Sequence, residues 1–86
     1  MRILVTGAGG LVGRTVATGL ADLGHIIRGH DIRDLQEVQP AVAARCDEVM
    51  RGDLGEWADS LTAVQGVDAV VHLGGSPGVQ GDEDPA

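Results

Sequence analysis

Short apolar runs along the chain alternate with longer stretches in which apolar residues recur at helical spacing. The first run, Arg2 to Thr6, is apolar and β-branched without alternation and predicts a fully buried strand. The next segment, Gly10 to Leu23, predicts a helix whose apolar face consists of Val12, Val16, Leu20 and Leu23. Gly24 is placed to end this helix as a left-handed C-terminal cap.

The same order of strand and helix repeats along the rest of the chain. His25 to Asp31 predicts a second strand. In the region from Asp34 to Arg45, residues 34–38 predict a short helical turn, Pro40 breaks or restarts it, and residues 41–44 tolerate a helix. Two further apolar runs predict a third strand, Glu48 to Arg51, and a fourth, buried one, Asp68 to Leu73.

A third helical segment precedes the fourth strand and is punctuated by Gly66. Its apolar residues recur at helical spacing: Leu54, Trp57, Leu61 and Val64. Tryptophan is highly buried on average, so we expect Trp57 to anchor the apolar face of this helix rather than to form part of a site.

This pattern predicts an α/β fold, a partial Rossmann fold with a parallel sheet of about four strands in the order 3-2-1-4 and helices on both faces. Residues 1–75 are expected to form this domain, and residues 76–86 a loop or disordered tail rich in glycine, proline and acid. The third helix would lie alone on its face. The uncovered part of that face and the edge of the fourth strand are therefore expected sites of self-association or of a partner chain.

The composition narrows the classes of function. A net charge of −7 without a basic cluster argues against nucleic acid and against an anionic membrane surface. No apolar run approaches transmembrane length, and Cys46, the only cysteine, fits a reducing cytoplasm and is interpreted as inert. The chain has no tyrosine, and all six basic residues are arginine, so it cannot itself supply a tyrosine or lysine for acid–base or Schiff-base chemistry.

A glycine-rich segment joins the first strand to the first helix. It does not match Gly-x-Gly-x-x-Gly, because Val12 stands where the third glycine is required. The segment fits Thr-Gly-x-x-Gly-x-x-Gly: Thr6, Gly7, Gly10 and Gly13. In that pattern Gly7 allows the tight turn, Gly10 lets a pyrophosphate approach the backbone, and Gly13 packs the helix closely on the strand. Backbone amides and the helix dipole then meet at one point that suits phosphate, the alternative being a turn that binds nothing.

An acidic residue, Asp31, ends the second strand 18 residues beyond Gly13. A carboxylate in this position can accept hydrogen bonds from both hydroxyls of an adenosine ribose and repels a 2′-phosphate, which favours NAD over NADP. The nearby Arg33 and Arg14 could weaken this preference. The alternative for Asp31 is a solvated acid at the end of a strand.

A second acid, Asp53, follows the third strand and could reach an adenine amine, with Leu54 beside the ring. An N-cap for the following helix is an equally good interpretation of Asp53. His72 lies in an apolar strand and is expected to be a satisfied core histidine. Since His25 and His30 have no partner at metal-ligand spacing, we expect no metal site.

Four segments in register resemble a known family: Thr6 to Gly13, Asp31, Gly52 to Leu54, and Asp68 to Gly75. In order and spacing they are similar to the amino-terminal part of the extended short-chain dehydrogenases/reductases, the NAD-dependent epimerase/dehydratase family. The run from His72 to Gly75 resembles the uronate-dehydrogenase-like branch of that family.

The resemblance implies the NAD-binding amino-terminal part of an oxidoreductase that acts on a sugar or sugar acid. NAD is the expected cofactor and NADP the less favoured one. The residues expected to bind it are Gly7, Gly10, Leu11, Val12, Gly13, Asp31, Ile32, Asp53, Leu54, Leu73, Gly74 and Gly75.

The family's catalytic Tyr-x-x-x-Lys has no counterpart here, so no catalytic residue is assigned and the chain alone is expected to be inactive. Two alternatives remain. One is a stand-alone dinucleotide-binding or sensing module that a partner chain completes. The other is a chain that does not fold by itself.

Overall fold

A parallel four-stranded sheet lies at the centre of the molecule, and the computed structural model describes it within residues 1–73. The elements in chain order are β1 (Arg2–Thr6), α1 (Leu11–Asp22), β2 (Ile26–Asp31), α2 (Leu35–Val38), α3 (Pro40–Arg45), β3 (Glu48–Arg51), α4 (Trp57–Val64) and β4 (Ala69–His72). The predicted site residues Gly74 and Gly75 and the predicted tail, 76–86, lie outside the described residues. None of the helices in the described part of the chain is long and apolar enough to span a membrane.

The strands lie in the order β3-β2-β1-β4, and all three pairings are parallel. This confirms the predicted α/β fold and strand order. The register places Thr6 of β1 opposite both His30 of β2 and His72 of β4, and His30 opposite Met50 of β3. The carboxyl ends of the four strands therefore meet at one edge of the sheet.

The main core lies on the face of the sheet that α1, α2 and α3 cover. It is formed by three strand residues and by residues from the helices and the loop after β1: Ile3, Val5, Ile27, Ala8, Ala17, Leu35, Val42 and Ala43. Leu4 and Arg28 alternate with the strand residues of this core and point to the opposite face. There Arg28 donates from Nη1 to the carbonyl of Ala63 in α4, 2.8 Å away. Helices thus lie on both faces, as predicted.

The contact face of α1 differs from the predicted apolar face at both ends. Gly13 and Ala17 are buried and Val16 and Leu20 are partly buried, whereas the predicted Val12 and Leu23 are exposed. A Cβ at Gly13 would lie 1.9 Å from the carbonyl oxygen of Gly7, so α1 packs too closely for a larger side chain. Gly24 follows the helix with φ +91°, as the sequence predicts.

The prediction that Trp57 anchors the apolar face of α4 is also wrong. Trp57 is 76% exposed and begins the helix, while Leu61 and Val64 are each 45% exposed. Ala63 is the one buried residue of α4. The helix meets the sheet through this small side chain and Arg28, and its larger apolar residues form a surface that residues 1–73 leave open.

Candidate functional site

Backbone contacts gather the ends of the strands around the loop that follows β1. Ala8 N–H donates to the carbonyl of His30 at the end of β2, with N and O 2.9 Å apart. Gly52 N–H, just after β3, donates to the carbonyl of Asp31 over 3.2 Å. On the other side, Leu73 N–H donates to Thr6 Oγ1 over 2.8 Å. The described site residues predicted from different strands therefore meet at one edge of the sheet.

The glycine segment turns the chain directly into α1. Gly7 has φ +68°, and Gly10, the N-cap of α1, donates its N–H to the carbonyl of Gly7 over 3.0 Å. The first helical amides, Leu11 to Gly13, precede the first intrahelical bond, which Arg14 N–H makes to Gly10. The N-cap provides no side-chain hydrogen bond, and the first turn contains no acidic residue. These amides and the positive end of the dipole suit an anion.

The carboxylate of Asp31 lies against this glycine segment. Oδ2 accepts a hydrogen bond from Gly9 N–H over 2.9 Å and is 3.4 Å from Nη2 of Arg33. Oδ1 accepts hydrogen bonds from both N–H and Nε of Arg33, each over 3.0 Å. Burial alone would raise the pKa of Asp31, but the hydrogen bonds from Arg33 and Gly9 outweigh it, and the pKa lies below its ordinary value. Asp31 is thus a buried, ionised carboxylate, not a solvated acid at the end of a strand.

Gly9 is a site residue that the sequence analysis missed. A Cβ at this position would lie 2.8 Å from Asp31 Oδ2 and 3.1 Å from Arg33 Nη2. Only a residue without a side chain lets the backbone amide reach the carboxylate undisturbed. The signal was present in Gly7-x-Gly9, but the motif that fits the third glycine passes over position 9.

Asp53 lies in the loop between β3 and α4 and does not cap that helix, so its N-cap interpretation is wrong. Glu56 is the N-cap residue, and Asp53 Oδ1 accepts a hydrogen bond from Gly55 N–H over 2.8 Å. Asp53 N–H donates to Asp59 Oδ2, 3.1 Å away, which ties the loop to the first turn of α4. Leu54, next in this loop, is half-buried.

The two histidines at the carboxyl edge, His30 and His72, differ in environment. His72 is exposed on β4, with Nδ1 2.9 Å from Thr6 Oγ1, so its expected place in the core is wrong. His30 is buried instead, and neither ring nitrogen has a hydrogen-bond partner within residues 1–73. Burial lowers the pKa of His30 below its ordinary value, and the backbone of Gly52 and the carboxylates of Asp31 and Asp59 offset only part of that effect.

Three other residues complete the account of the predicted chemistry. Ile32 is exposed beside Asp31, and its carbonyl accepts a hydrogen bond from Arg51 Nε over 3.3 Å. Cys46 is half-buried, and burial together with Asp47 raises the pKa of its thiol, which disfavours the reactive thiolate. Across the described part of the chain, no three His, Cys, Asp or Glu side chains are grouped to hold a metal ion.

Comparisons with known proteins give similarities along nearly the whole chain. The model of the "NAD dependent epimerase/dehydratase family" matches residues 3–86. The chain is 38% identical over 84 residues to the 2-alkyl-3-oxoalkanoate reductase of Stenotrophomonas maltophilia. This alignment covers 98% of this chain and 24% of the reductase. The chain is also 38% identical over 74 residues to the uronate dehydrogenase of Pseudomonas syringae pv. tomato, covering 86% of this chain and 26% of that protein.

Among solved structures, the fold is similar to that of a uronate dehydrogenase variant from Agrobacterium tumefaciens complexed with NAD. The TM-score is 0.71 at 36% identity, and the match covers 87% of this chain and 26% of the other. The chain therefore spans about a quarter of the length of these relatives.

Proposed function

The chain belongs to the NAD-dependent epimerase/dehydratase family, and we propose that it forms the dinucleotide-binding amino-terminal part of an oxidoreductase that acts on a sugar or sugar acid. The proposed cofactor is NAD, held between the mouth of α1 and the carboxyl ends of β2, β3 and β4. The similarity to uronate dehydrogenases supports the substrate class. A cytoplasmic location fits both the family and the single cysteine.

The observation that supports this proposal most directly is the junction of Asp31 with the glycine segment. The hydrogen bond of 2.9 Å from Gly9 N–H to Asp31 Oδ2 places a carboxylate beside the amides at the start of α1. A dinucleotide offers two matching groups at one end, a diphosphate and an adenosine ribose. The amides at the start of α1 fit the diphosphate, and the carboxylate of Asp31 fits the ribose.

Each site residue has a binding role in this proposal. The amides of Leu11, Val12 and Gly13 receive the diphosphate, and Asp31 accepts hydrogen bonds from the ribose. The loop after β3 lies beside Asp31 through Gly52 and would border the adenine. The bound cofactor would supply hydride transfer at its nicotinamide, while these residues fix its position.

The tyrosine and lysine that the resemblance implies for the acid–base step of such an oxidoreductase do not occur among these 86 residues. We therefore expect binding without turnover from this chain by itself. Hydride transfer to or from a uronate that persists through rigorous purification would contradict this expectation.

A second candidate function is a stand-alone dinucleotide-binding or sensing module that a partner chain completes. Three exposed apolar residues of α4 and β4 favour this alternative: Leu61, Val64 and Val70, each 45–47% exposed. The nucleotide sequence that follows the codon for Ala86 discriminates the two functions. A reading frame encoding Tyr-x-x-x-Lys supports the first, and its absence supports the second.

Isothermal titration of the chain with NAD⁺ tests the proposed function, and saturable binding is the expected result. Asp31→Ala is expected to weaken NAD⁺ about tenfold or more and NADP⁺ less, since a hydrogen bond to a charged group contributes roughly 1.5–3 kcal/mol. Asp22→Ala is the matched control, because Asp22 pairs with Arg45 on the surface. Equal losses for both dinucleotides would show that Asp31 does not contact the ribose.

A further inference from the structure

The loop between β3 and α4 is tied to its surroundings at two successive backbone amides. Gly52 N–H donates to the carbonyl of Asp31 over 3.2 Å, and Asp53 N–H donates to Asp59 Oδ2 over 3.1 Å. The first bond joins the loop to the sheet, and the second joins it to the first turn of α4. Because the second bond holds the backbone of Asp53, the position of the Asp53 side chain depends on a residue of the following helix.

The carboxylate of Asp59 fits closely against the start of the same loop. A Cβ at Gly52 would lie 2.9 Å from Asp59 Oδ2 and 3.1 Å from its Cγ, so the carboxylate fills the space that a side chain at position 52 would take. Its negative charge also acts on the buried ring of His30, which places Asp59 near the ends of both β2 and β3. A carboxylate is favourable there, since the first turn of α4 is the positive end of the helix dipole.

Asp53 has one carboxylate oxygen left for a ligand. Its Oδ1 accepts a hydrogen bond from Gly55 N–H over 2.8 Å, and its main-chain carbonyl accepts one from Glu56 N–H over 2.9 Å. Within residues 1–73 no donor takes Oδ2, and the residue is exposed. Such an oxygen can accept a hydrogen bond from an exocyclic amine. The direction of Oδ2 depends on the turn formed by residues 53–56, and Asp59 fixes where that turn begins.

We propose that Asp59 is a positioning residue of the cofactor site: through the N–H of Asp53 it holds the loop after β3 where the Asp53 carboxylate meets the amine of the adenine. This inference rests on the proposed function, in which the loop borders the adenine. It adds a residue of α4 that does not itself contact the cofactor. Asp59 therefore contributes to the recognition of the base and not to the binding of the diphosphate or the ribose.

The test compares NAD⁺ with nicotinamide hypoxanthine dinucleotide, in which a carbonyl group replaces the amine of adenine, by isothermal titration. Wild type is expected to bind NAD⁺ about tenfold more tightly than the analogue, which lacks the hydrogen bond to the carboxylate. Asp59→Ala is expected to reduce this preference to about threefold or less, by weakening NAD⁺ and sparing the analogue. A general loss of stability would weaken both ligands and leave their ratio unchanged. Asp59→Asn keeps an acceptor for Asp53 N–H and is expected to restore most of the preference.

Gly52→Ala tests the same contact from the other side without changing Asp59. Its Cβ would push Asp59 Oδ2, 2.9 Å away, from its place beside the loop, and we expect the same reduced preference for NAD⁺. This variant decides the outcome if circular dichroism shows that Asp59→Ala does not fold. Glu56→Ala is the matched control, because it removes another acid next to the loop, one whose side chain makes no capping hydrogen bond. It is expected to keep the wild-type preference.

An unchanged preference for NAD⁺ in Asp59→Ala would overturn the role of Asp59 while leaving dinucleotide binding intact. The same conclusion would follow if Asp59→Asn or Glu56→Ala lost the preference as fully as Asp59→Ala, since the loss would then be an effect of charge. A wild-type chain that binds the two dinucleotides equally would also overturn it. Wild type that binds neither dinucleotide would refute the proposed function itself.

Discussion

Gly9 and Gly19 show how much a single missing side chain matters at the residue scale. A Cβ at Gly9 would lie 2.8 Å from Asp31 Oδ2, whereas a Cβ at Gly19, within α1, would meet nothing within 4 Å. We expect Gly9→Ala to displace the carboxylate and to weaken NAD⁺ binding about tenfold, which isothermal titration measures. Gly19→Ala is the control. It is expected to keep the affinity and to stabilise the fold by about 1 kcal/mol in urea unfolding, because alanine favours a helix over glycine.

The outcome that contradicts this prediction is a Gly9→Ala variant with unchanged affinity. It would mean that the hydrogen bond from Gly9 N–H to Asp31 does not set the position of the carboxylate that we propose binds the ribose. A loss of affinity in Gly19→Ala of the same size would instead trace the effect to α1 as a whole.

The buried ring of His30 predicts a dependence of stability on pH. Burial lowers the pKa of His30 in the folded chain, so below about pH 6.5 the unfolded state binds more protons than the folded one. The contribution of His30 to the free energy of unfolding is therefore complete above pH 6.5. It is lost as the pH falls from 6.5 through the lower pKa that His30 has in the folded state. The backbone of Gly52 and the charges of Asp31 and Asp59 reduce this effect, and His72 adds to it, without reversing it.

We expect the free energy of unfolding to fall between pH 7 and pH 5 by up to about 1.4 kcal/mol per pH unit. His30→Leu replaces the ring by an apolar side chain without the two unpartnered nitrogens. Urea unfolding of this variant should show a flatter profile over the same range. An unchanged slope would assign the pH dependence to other groups.

The residues of the site divide into those that local pattern predicts and those that it does not. Asp31 follows from its position at the end of a strand and its distance from the glycines. The contact of Gly9 does not follow from the glycine spacing, because it is made to a carboxylate 22 residues away. The burial of His30 and the exposure of His72 depend on what covers each strand, which the apolar pattern of a strand does not report.

At the scale of elements, the docking of α4 depends on one buried arginine. Arg28 of β2 donates from Nη1 to the carbonyls of Ala63 and Gln65 at the end of α4, over 2.8 and 2.6 Å. Its Nε pairs with Glu48 of the adjacent strand over 3.0 Å. A cation at this end also complements the helix dipole.

Removing this guanidinium should therefore release α4 from the sheet. Arg28→Met keeps an apolar stem but leaves the carbonyls of Ala63 and Gln65 without their donor, and we expect a loss of about 2–4 kcal/mol in urea unfolding. Hydrogen exchange should accelerate in α4 more than in β1. Glu48→Gln is the control with an expected loss of about 0–1 kcal/mol, because Glu48 is half exposed and Arg28 keeps both carbonyls. Equal losses in the two variants would assign the stability to the ion pair with Glu48 instead of to the hydrogen bonds from Arg28 to the carbonyls at the end of α4.

The apolar spacing of α4 predicts the helix but not how it packs. The pattern places Trp57, Leu61 and Val64 on one face of the helix, and apolar residues on one face are expected to pack against the core. In the structure, a small alanine and an arginine from β2 make the contact. A buried arginine in a central strand carries no periodic signal, so sequence patterning could not identify it.

At the scale of the whole molecule, the order of the strands follows from a few strong rules. Parallel strands require crossover connections, and strands that follow one another in the chain tend to be neighbours in the sheet. In a doubly wound sheet the first strand lies between the second and the fourth. These rules predict the order 3-2-1-4 without any knowledge of side-chain packing. They also place β4 at the edge of the sheet, and in the structure Val70 on this outer strand is 47% exposed.

The exposed outer strand predicts self-association of this chain. Val70 of β4 is 47% exposed, on an edge strand whose outer side has no partner within residues 1–73. Wild type is expected to associate reversibly in sedimentation experiments, and Val70→Lys to shift the equilibrium towards monomer, because a charge on an edge strand opposes pairing. Leu23→Lys is the control, since Leu23 is an exposed apolar residue in the turn between α1 and β2. An association equal in all three chains would place the contact elsewhere, whereas a wild-type chain that stays monomeric at every concentration would show that this apolar face is stable in water by itself.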